Sequence, residues 1–271
     1  MKSKSIRKAY NAGRYYPSSK EEIEKFLLLF NHSLEQAEDA KARLSITPQA
    51  IIVPHGAYHL SGFTANIAHR LLAKKRFQRV VVLAKASTKY FKGIGFTNFR
   101  SYETPFKELK IDQDYLNIIA THFPITFLES NYDQEYKTEI HMPFLAYYQP
   151  NVKVIELLYN DCSDTLLYQL IYWLLEDSLT ALIVSSNLSQ NLPEKLCNTL
   201  DTFAINGIAH QDISFFNESE ASSKEGVEAL LKSSFDLKLS SHLLDYRTSC
   251  DVTGNLEDCT GYISAAFCKR E

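Results

Sequence analysis

The sequence predicts an α/β fold, a single domain over residues 1–271 with a mostly parallel central sheet flanked by helices. Three observations predict it. Four short apolar runs (50–53, 80–84, 152–158 and 179–184) are rich in β-branched and aliphatic residues, as strands buried on both faces are. Segments of helical period separate them, and the stretch from Ser61 to about Lys75 has the right length for a parallel crossover. Polar loops follow three of the runs, at Pro54-His55-Gly56, at Lys85–Lys89 and at Ser185–Asn191. In an open α/β sheet, ligands gather outside the carboxyl ends of the strands, so these loops are where chemistry is expected.

Taken in order, residues 1–17 are basic and then aromatic, with Gly13 and Pro17 punctuating an irregular segment. Ser18-Ser19 followed by Glu21-Glu22 signals a helix start, and Ile23, Phe26, Leu27, Phe30 and Leu34 share one face of the helix to about Ala37. Arg43–Gln49 reads as a connection into the strand Ala50–Val53. Pro54 stops that strand because it has no N–H to give a ladder. Phe63, Ile67, Leu71 and Leu72 then recur at helical spacing. Val80–Ala84 is the second strand, Phe91–Phe99 an irregular one, and Lys107–Ile111 a short one, with Asp112 capping a helix over Gln113–His122. Residues 124–137 show no clear period and read as loop. Glu139–Leu145 enters a helix with Pro143 in its first turn. Thr165–Leu175 is an amphipathic packing helix, and its Trp173 belongs to core or rim. Glu194–Ala209 and Gly226–Ser234 are helical, the latter started by Ser222-Ser223 and Glu225. Leu237–Asp245 and Thr260–Phe267 close the chain as a pair of strands.

Composition narrows the function classes. A net charge of −3 provides no global field for nucleic acid or an anionic membrane. The basic clusters at Lys2–Lys8 and Lys74–Arg79 are short and read as solvated faces. No apolar run approaches the ~18 residues of a membrane span, and the start of the chain lacks a signal peptide's apolar core. The five cysteines, Cys162, Cys197, Cys250, Cys259 and Cys268, are odd in number and have no Cys-x-x-Cys spacing. That argues against a disulfide framework or zinc knuckle and for a reducing cytoplasm, with each cysteine a small buried apolar residue.

The order and spacing of several short motifs resemble the Memo family, also called AmmeMemoRadiSam system protein B. They are Ala12-Gly13-Arg14-Tyr15-Tyr16-Pro17, Pro54-His55 with Tyr58 and Ser61-Gly62, Glu103-Thr104-Pro105 with Ile111-Asp112, Glu139-Ile140-His141-Met142-Pro143-Phe144, Ser185-Ser186, and Tyr246–Gly254 with Gly261-Tyr262. The resemblance covers nearly the whole chain. It implies a fold similar to the class III extradiol dioxygenases and a metal site of two histidines and a late cysteine.

The departures bear on what carries over. The family's Pro-His-Ala-Gly-Tyr is here Pro54-His55-Gly56-Ala57-Tyr58, with the small pair swapped. Its Ser-His-His loop corresponds to Ala86, Ser87 and Thr88, and its Glu-His-Ser to Glu135, Tyr136 and Lys137. Its Asp-Phe-Cys-His corresponds to Asn187, Leu188, Ser189 and Gln190, and its late cysteine to Ser222. Only His55 is retained as a match to the family's metal ligands. A serine hydroxyl is a weak ligand for a divalent transition metal beside imidazole or thiolate. The resemblance thus implies a degenerate pocket with no cofactor, lined by His55, Ser87, Thr88, Glu139, His141, Asn187, Gln190 and Ser222. Such a pocket would take a small molecule or a partner's side chain. Lys85 and Lys89 flank the altered loop and offer positive charge where a metal is missing.

Two other readings stand beside it. One is an iron- or copper-dependent oxidoreductase with a site rebuilt from His55, His141 and Glu139 or Glu135. The other is a metal-free hydrolase or transferase with Ser87 as nucleophile and His55 as base.

Overall fold

The computed structural model describes residues 4–88, 91–128 and 132–269. Its elements run β1 (Lys4–Arg7), α1 (Lys20–Glu35), α2 (Ala40–Ser45), β2 (Ala50–Val53), α3 (Tyr58–Leu72), β3 (Arg79–Lys85), β4 (Gly93–Phe96), β5 (Phe99–Tyr102) and β6 (Leu109–Lys110). Then come α4 (Gln113–His122), β7 (Ile125–Phe127), α5 (Tyr136–Glu139), α6 (Met142–Tyr148), β8 (Lys153–Asn160), α7 (Asp164–Glu176) and β9 (Thr180–Ser185). The chain closes with α8 (Glu194–His210), α9 (Ile213–Asn217), α10 (Lys224–Asp236), β10 (Leu239–Thr248), α11 (Cys250–Thr253) and β11 (Gly261–Lys269).

The four expected core strands lie side by side. The large sheet has the order β10-β11-β2-β9-β3-β8-β4-β7. Pairing is parallel at β2–β9, β9–β3, β3–β8 and β4–β7. It is antiparallel at β10–β11, β11–β2 and β8–β4. The sheet is therefore mixed: parallel at its centre, with an antiparallel hairpin laid along β2. The expectation of a mostly parallel sheet holds for β2, β9, β3 and β8 and again at β4–β7; it fails where β4 meets β8 and where the closing hairpin β10–β11 docks on β2.

The central strands bury both faces, which is why they read as continuous apolar runs. Ile51, Val53, Val80, Val82 and Ile183 pack on one face with Ile23 and Leu27 of α1, Leu71 of α3 and Leu145 of α6. Ala50, Ile52, Val81, Leu83 and Leu182 pack on the other with Leu170 of α7, Ile208 of α8 and Leu230 of α10. The first residues of α1 and α7 are capped by Ser19 and Ser163, and Asp112 caps α4.

Three local expectations change. The irregular strand expected over 91–99 is two strands: β4 stays in the main sheet, while β5, which begins at Phe99, leaves it and pairs with β1 and β6 as a small three-stranded sheet. Part of the stretch expected to be loop forms β7 and α5; β7 has only three residues, too few to show a period. Cys250 and Cys259 are joined as a disulfide, with Cα atoms 5.3 Å apart, against the expectation of free thiols. The short helix α11 and the turn after it bring the two together, which a count of cysteines and a search for Cys-x-x-Cys cannot register. No helix among the described residues is long and apolar enough to cross a membrane.

Candidate functional site

The carboxyl ends of β2, β9 and β3 meet at one edge, and the short helix α5 lies across it. His55 follows β2 and is buried; its backbone N–H donates to Asn187 Oδ1 at 2.9 Å. Its ring is fixed by Ser185, the last residue of β9. Ser185 Oγ lies 2.6 Å from the Lys137 carbonyl, 3.0 Å from His55 Nδ1 and 2.9 Å from His141 Nε2. A carbonyl can only accept, so the Ser185 hydroxyl donates to it and both imidazole nitrogens must donate to Ser185. That fixes two tautomers. His141, protonated on Nε2, accepts at Nδ1 from His69 Nε2, 3.2 Å away. His69 Nδ1 then carries a bare lone pair, and among the described residues no donor reaches it. The ring of His69 stacks on Phe144 at 4.7 Å.

All three histidines are held neutral. Burial pushes the pKa of His55 well below the ordinary value, helped by the Lys137 charge and by His141. Burial does the same to His69, and brings His141 down to about 3. His55, protonated on Nδ1, presents a bare lone pair at Nε2. The Ser222 hydroxyl lies 3.5 Å from it and accepts the Asn187 backbone N–H at 3.0 Å.

Ser87 faces another way. It is exposed, and both its N–H and its hydroxyl donate to the Glu135 carboxylate, at 2.7 and 2.8 Å. Glu135 also accepts the Lys137 N–H at 3.1 Å. Tyr136 closes one side: its ring stands edge-on to His55 at 5.7 Å and stacks on Tyr15 at 4.5 Å. Tyr262 closes the other side over Gly56, where a Cβ would lie 2.8 Å from the Tyr262 ring and 2.9 Å from Ser61 Oγ.

Of the sequence-predicted residues, the structure brings His55, His141, Asn187 and Ser222 into one hydrogen-bonded group, with Ser87 on the neighbouring loop. The Thr88 hydroxyl beside it is buried without a hydrogen-bond partner. Gln190 is exposed at the outer end of its loop. Glu139 turns away from the group and accepts from the Asn11 backbone N–H at 2.7 Å, Asn11 Nδ2 at 2.9 Å and Tyr16 at 2.8 Å. Ser185, His69 and Lys137 are members of the site that sequence reading did not single out. Ser185 stood at a strand's end in a quoted motif. His69 sat on an apolar helix face, where the usual reading is packing.

The geometry does not form the alternative sites. Neither His55 Nδ1 nor His141 Nε2 is free to ligate, since both donate to Ser185, and Glu139 and Glu135 are held elsewhere. Among the described residues no three His, Cys, Asp or Glu side chains converge to hold a metal ion. The positions matching the family's ligands provide one imidazole lone pair and two hydroxyls, a donor set that does not fit iron or copper. Ser87 makes no hydrogen bond to His55, so the nucleophile–base pair is not formed. The Lys85 ammonium is paired with Glu225 at 2.5 Å, and Lys89 lies outside the described residues.

An α/β protein with a histidine at the carboxyl edge of a mixed sheet, backed by a buried imidazole relay, is the class these features define. A family profile described as Memo-like protein matches residues 7–266, and the chain belongs to that family. It is 23% identical to a MEMO1 family protein of Methanobrevibacter smithii, over 97% of this chain and 99% of that one. It is 24% identical to one of Archaeoglobus fulgidus, covering 94% and 97%. The solved structure of an uncharacterized protein, JW3007 of Escherichia coli K12, is similar with a TM-score of 0.53 and 13% identity, covering 82% of this chain and all of that one. At that identity the likeness concerns the fold alone.

Proposed function

We propose that this chain is a divergent Memo-like protein in which one dioxygenase-like domain binds a small ligand or a partner's side chain without metal chemistry. The observation that carries the reading is the pair of hydroxyls at the ligand positions. Ser222 faces His55 Nε2 where the family has its cysteine, and Ser87 sits on Glu135 where the family has a histidine. The scaffold beneath them is intact: Ser185 holds two imidazoles in fixed tautomers, and Asn187 fixes both the His55 backbone and Ser222. A buried, fully oriented neutral imidazole accepts a hydrogen bond from a ligand's O–H or N–H.

The test is metal content by mass spectrometry on protein purified without chelator or affinity metal, with a second sample incubated anaerobically with ferrous iron. The expected result is little retained metal in the native chain and near-stoichiometric metal in the double variant Ser87→His, Ser222→Cys, which restores the family's donors. Near-stoichiometric iron or copper in the native chain, lost in His55→Ala, would overturn the reading in favour of an oxidoreductase.

A further inference from the structure

Lys137 stands where the family has serine, and its side chain reaches over the end of β3. Its ammonium donates to the Lys85 carbonyl at 3.1 Å. Among the described residues no carboxylate oxygen lies within ion-pair distance of it, while its neighbour Lys85 is paired with Glu225. Glu135, two residues back, is turned to Ser87 and to the backbone N–H of Lys137. A half-buried cation that donates to a neutral carbonyl and has no carboxylate in direct contact loses hydration and gains no paired charge in return. Burial accordingly lowers the Lys137 pKa, Glu135 opposing and Lys85 reinforcing the shift. The neutral His55 lies within reach of the Lys137 charge, which adds to burial in lowering its pKa.

We propose that the Lys137 ammonium makes this site a receptor for an aromatic monocarboxylate, with the flat part of the ligand against Tyr136. The proposal rests on the binding reading above and names its ligand class. One unpaired ammonium matches one negative charge. A phosphate dianion would want further cations or a cradle of backbone N–H groups, whereas the N–H of Ser87 is taken by Glu135 and that of Asn187 by Ser222. The stacked pair Tyr15–Tyr136, edge-on to His55, supplies a flat apolar wall beside the charge.

The probes are benzoate and inorganic phosphate, titrated calorimetrically into the native chain, Lys137→Met and Lys92→Met, the last removing an exposed lysine paired with Asp161. Benzoate affinity should fall by about tenfold or more in Lys137→Met, as expected when one partner of a desolvated charge pair is removed, and stay unchanged in Lys92→Met. In the native chain, benzoate should also slow acetylation of Lys137 but not of Lys92, read by peptide mass spectrometry, which requires no variant to fold. Unchanged benzoate affinity in Lys137→Met, no protection from acetylation, or binding of phosphate in preference to benzoate would overturn the proposal. Protein that binds benzoate through Lys137 and also retains iron through His55 would sink the metal-free reading while supporting this one. Metal-free protein indifferent to Lys137→Met would do the reverse.

Discussion

Two buried polar clusters sit on either side of α5, and they are built on opposite principles. On one side Arg7, fully buried, binds Glu156 at 3.0 Å and donates to the carbonyls of Asp133 and Glu135 at 2.9 and 2.7 Å. Thr97, Tyr102 and Thr138 complete the shell of Glu156, and Asn11 and Tyr16 that of Glu139. On the other side the histidine relay is uncharged; it ends at one end in His55 Nε2, 3.5 Å from the Ser222 hydroxyl, and at the other in His69 Nδ1, which has no partner among the described residues. The ionic cluster has its valences filled from within the chain and ties β1 and the N-terminal segment to the sheet. The relay holds its histidines in fixed tautomers and leaves a buried imidazole nitrogen without a donor among the described residues. A fully satisfied network rigidifies the fold around it, whereas a partly satisfied one carries a desolvation cost.

That contrast can be broken in several ways. The largest effect is expected from Arg7→Met, which strands the Glu156 carboxylate in the core. Removing one partner of a buried pair costs about 3–5 kcal/mol, and urea denaturation should show a loss of that order. A loss below about 1 kcal/mol would mean that the cluster is not the anchor described here. Ser185→Ala should cost roughly 2 kcal/mol by stranding the Lys137 carbonyl and two imidazole N–H groups. Its sharper signature is in nitrogen NMR: His55 and His141 are each single tautomers in the native chain and should become mixtures in the variant.

Acid should act on the relay through proton linkage. The folded pKa values of the three histidines lie below the ordinary 6.5, so the unfolded chain takes up their protons first. Their contribution is complete above about pH 6.5 and is lost as pH falls towards 3, the folded value of His141, at up to about 1.4 kcal/mol per pH unit for each histidine. Denaturation midpoints that stay flat between pH 6.5 and 4.5 would contradict neutral burial of the relay. The smallest effect is expected at Gln190: Gln190→Ala should change stability by less than about 0.5 kcal/mol and leave benzoate binding unaltered. A clear loss of binding there would extend the site outward.

The central strands were legible because β2, β3, β8 and β9 are buried on both faces and their composition states it. The hairpin β10–β11 was visible by alternation, yet its antiparallel docking on β2 was not, since pairing partners are set by tertiary packing. His55 was legible because Pro54 ends a strand and places the next residue at the carboxyl edge. Ser222 was placed through family likeness alone; in the structure its hydroxyl lies 3.5 Å from His55 Nε2. Glu139 misled in the other direction: it was expected to line the pocket with His141, but residues two apart across the start of a helix face different neighbours. Ser185 and His69 were overlooked because a serine at a strand end and a histidine on an apolar helix face carry no signal until their partners are known.

The packing at Gly56 makes one hydrogen atom a structural part of the loop after β2. A methyl there would press on the ring of Tyr262 from β11 and on Ser61 Oγ in the first turns of α3, so a change of one carbon at position 56 would be felt by the antiparallel hairpin and by the crossover helix together. The smallest residue of the loop thereby gauges the distance between two elements far apart in the chain.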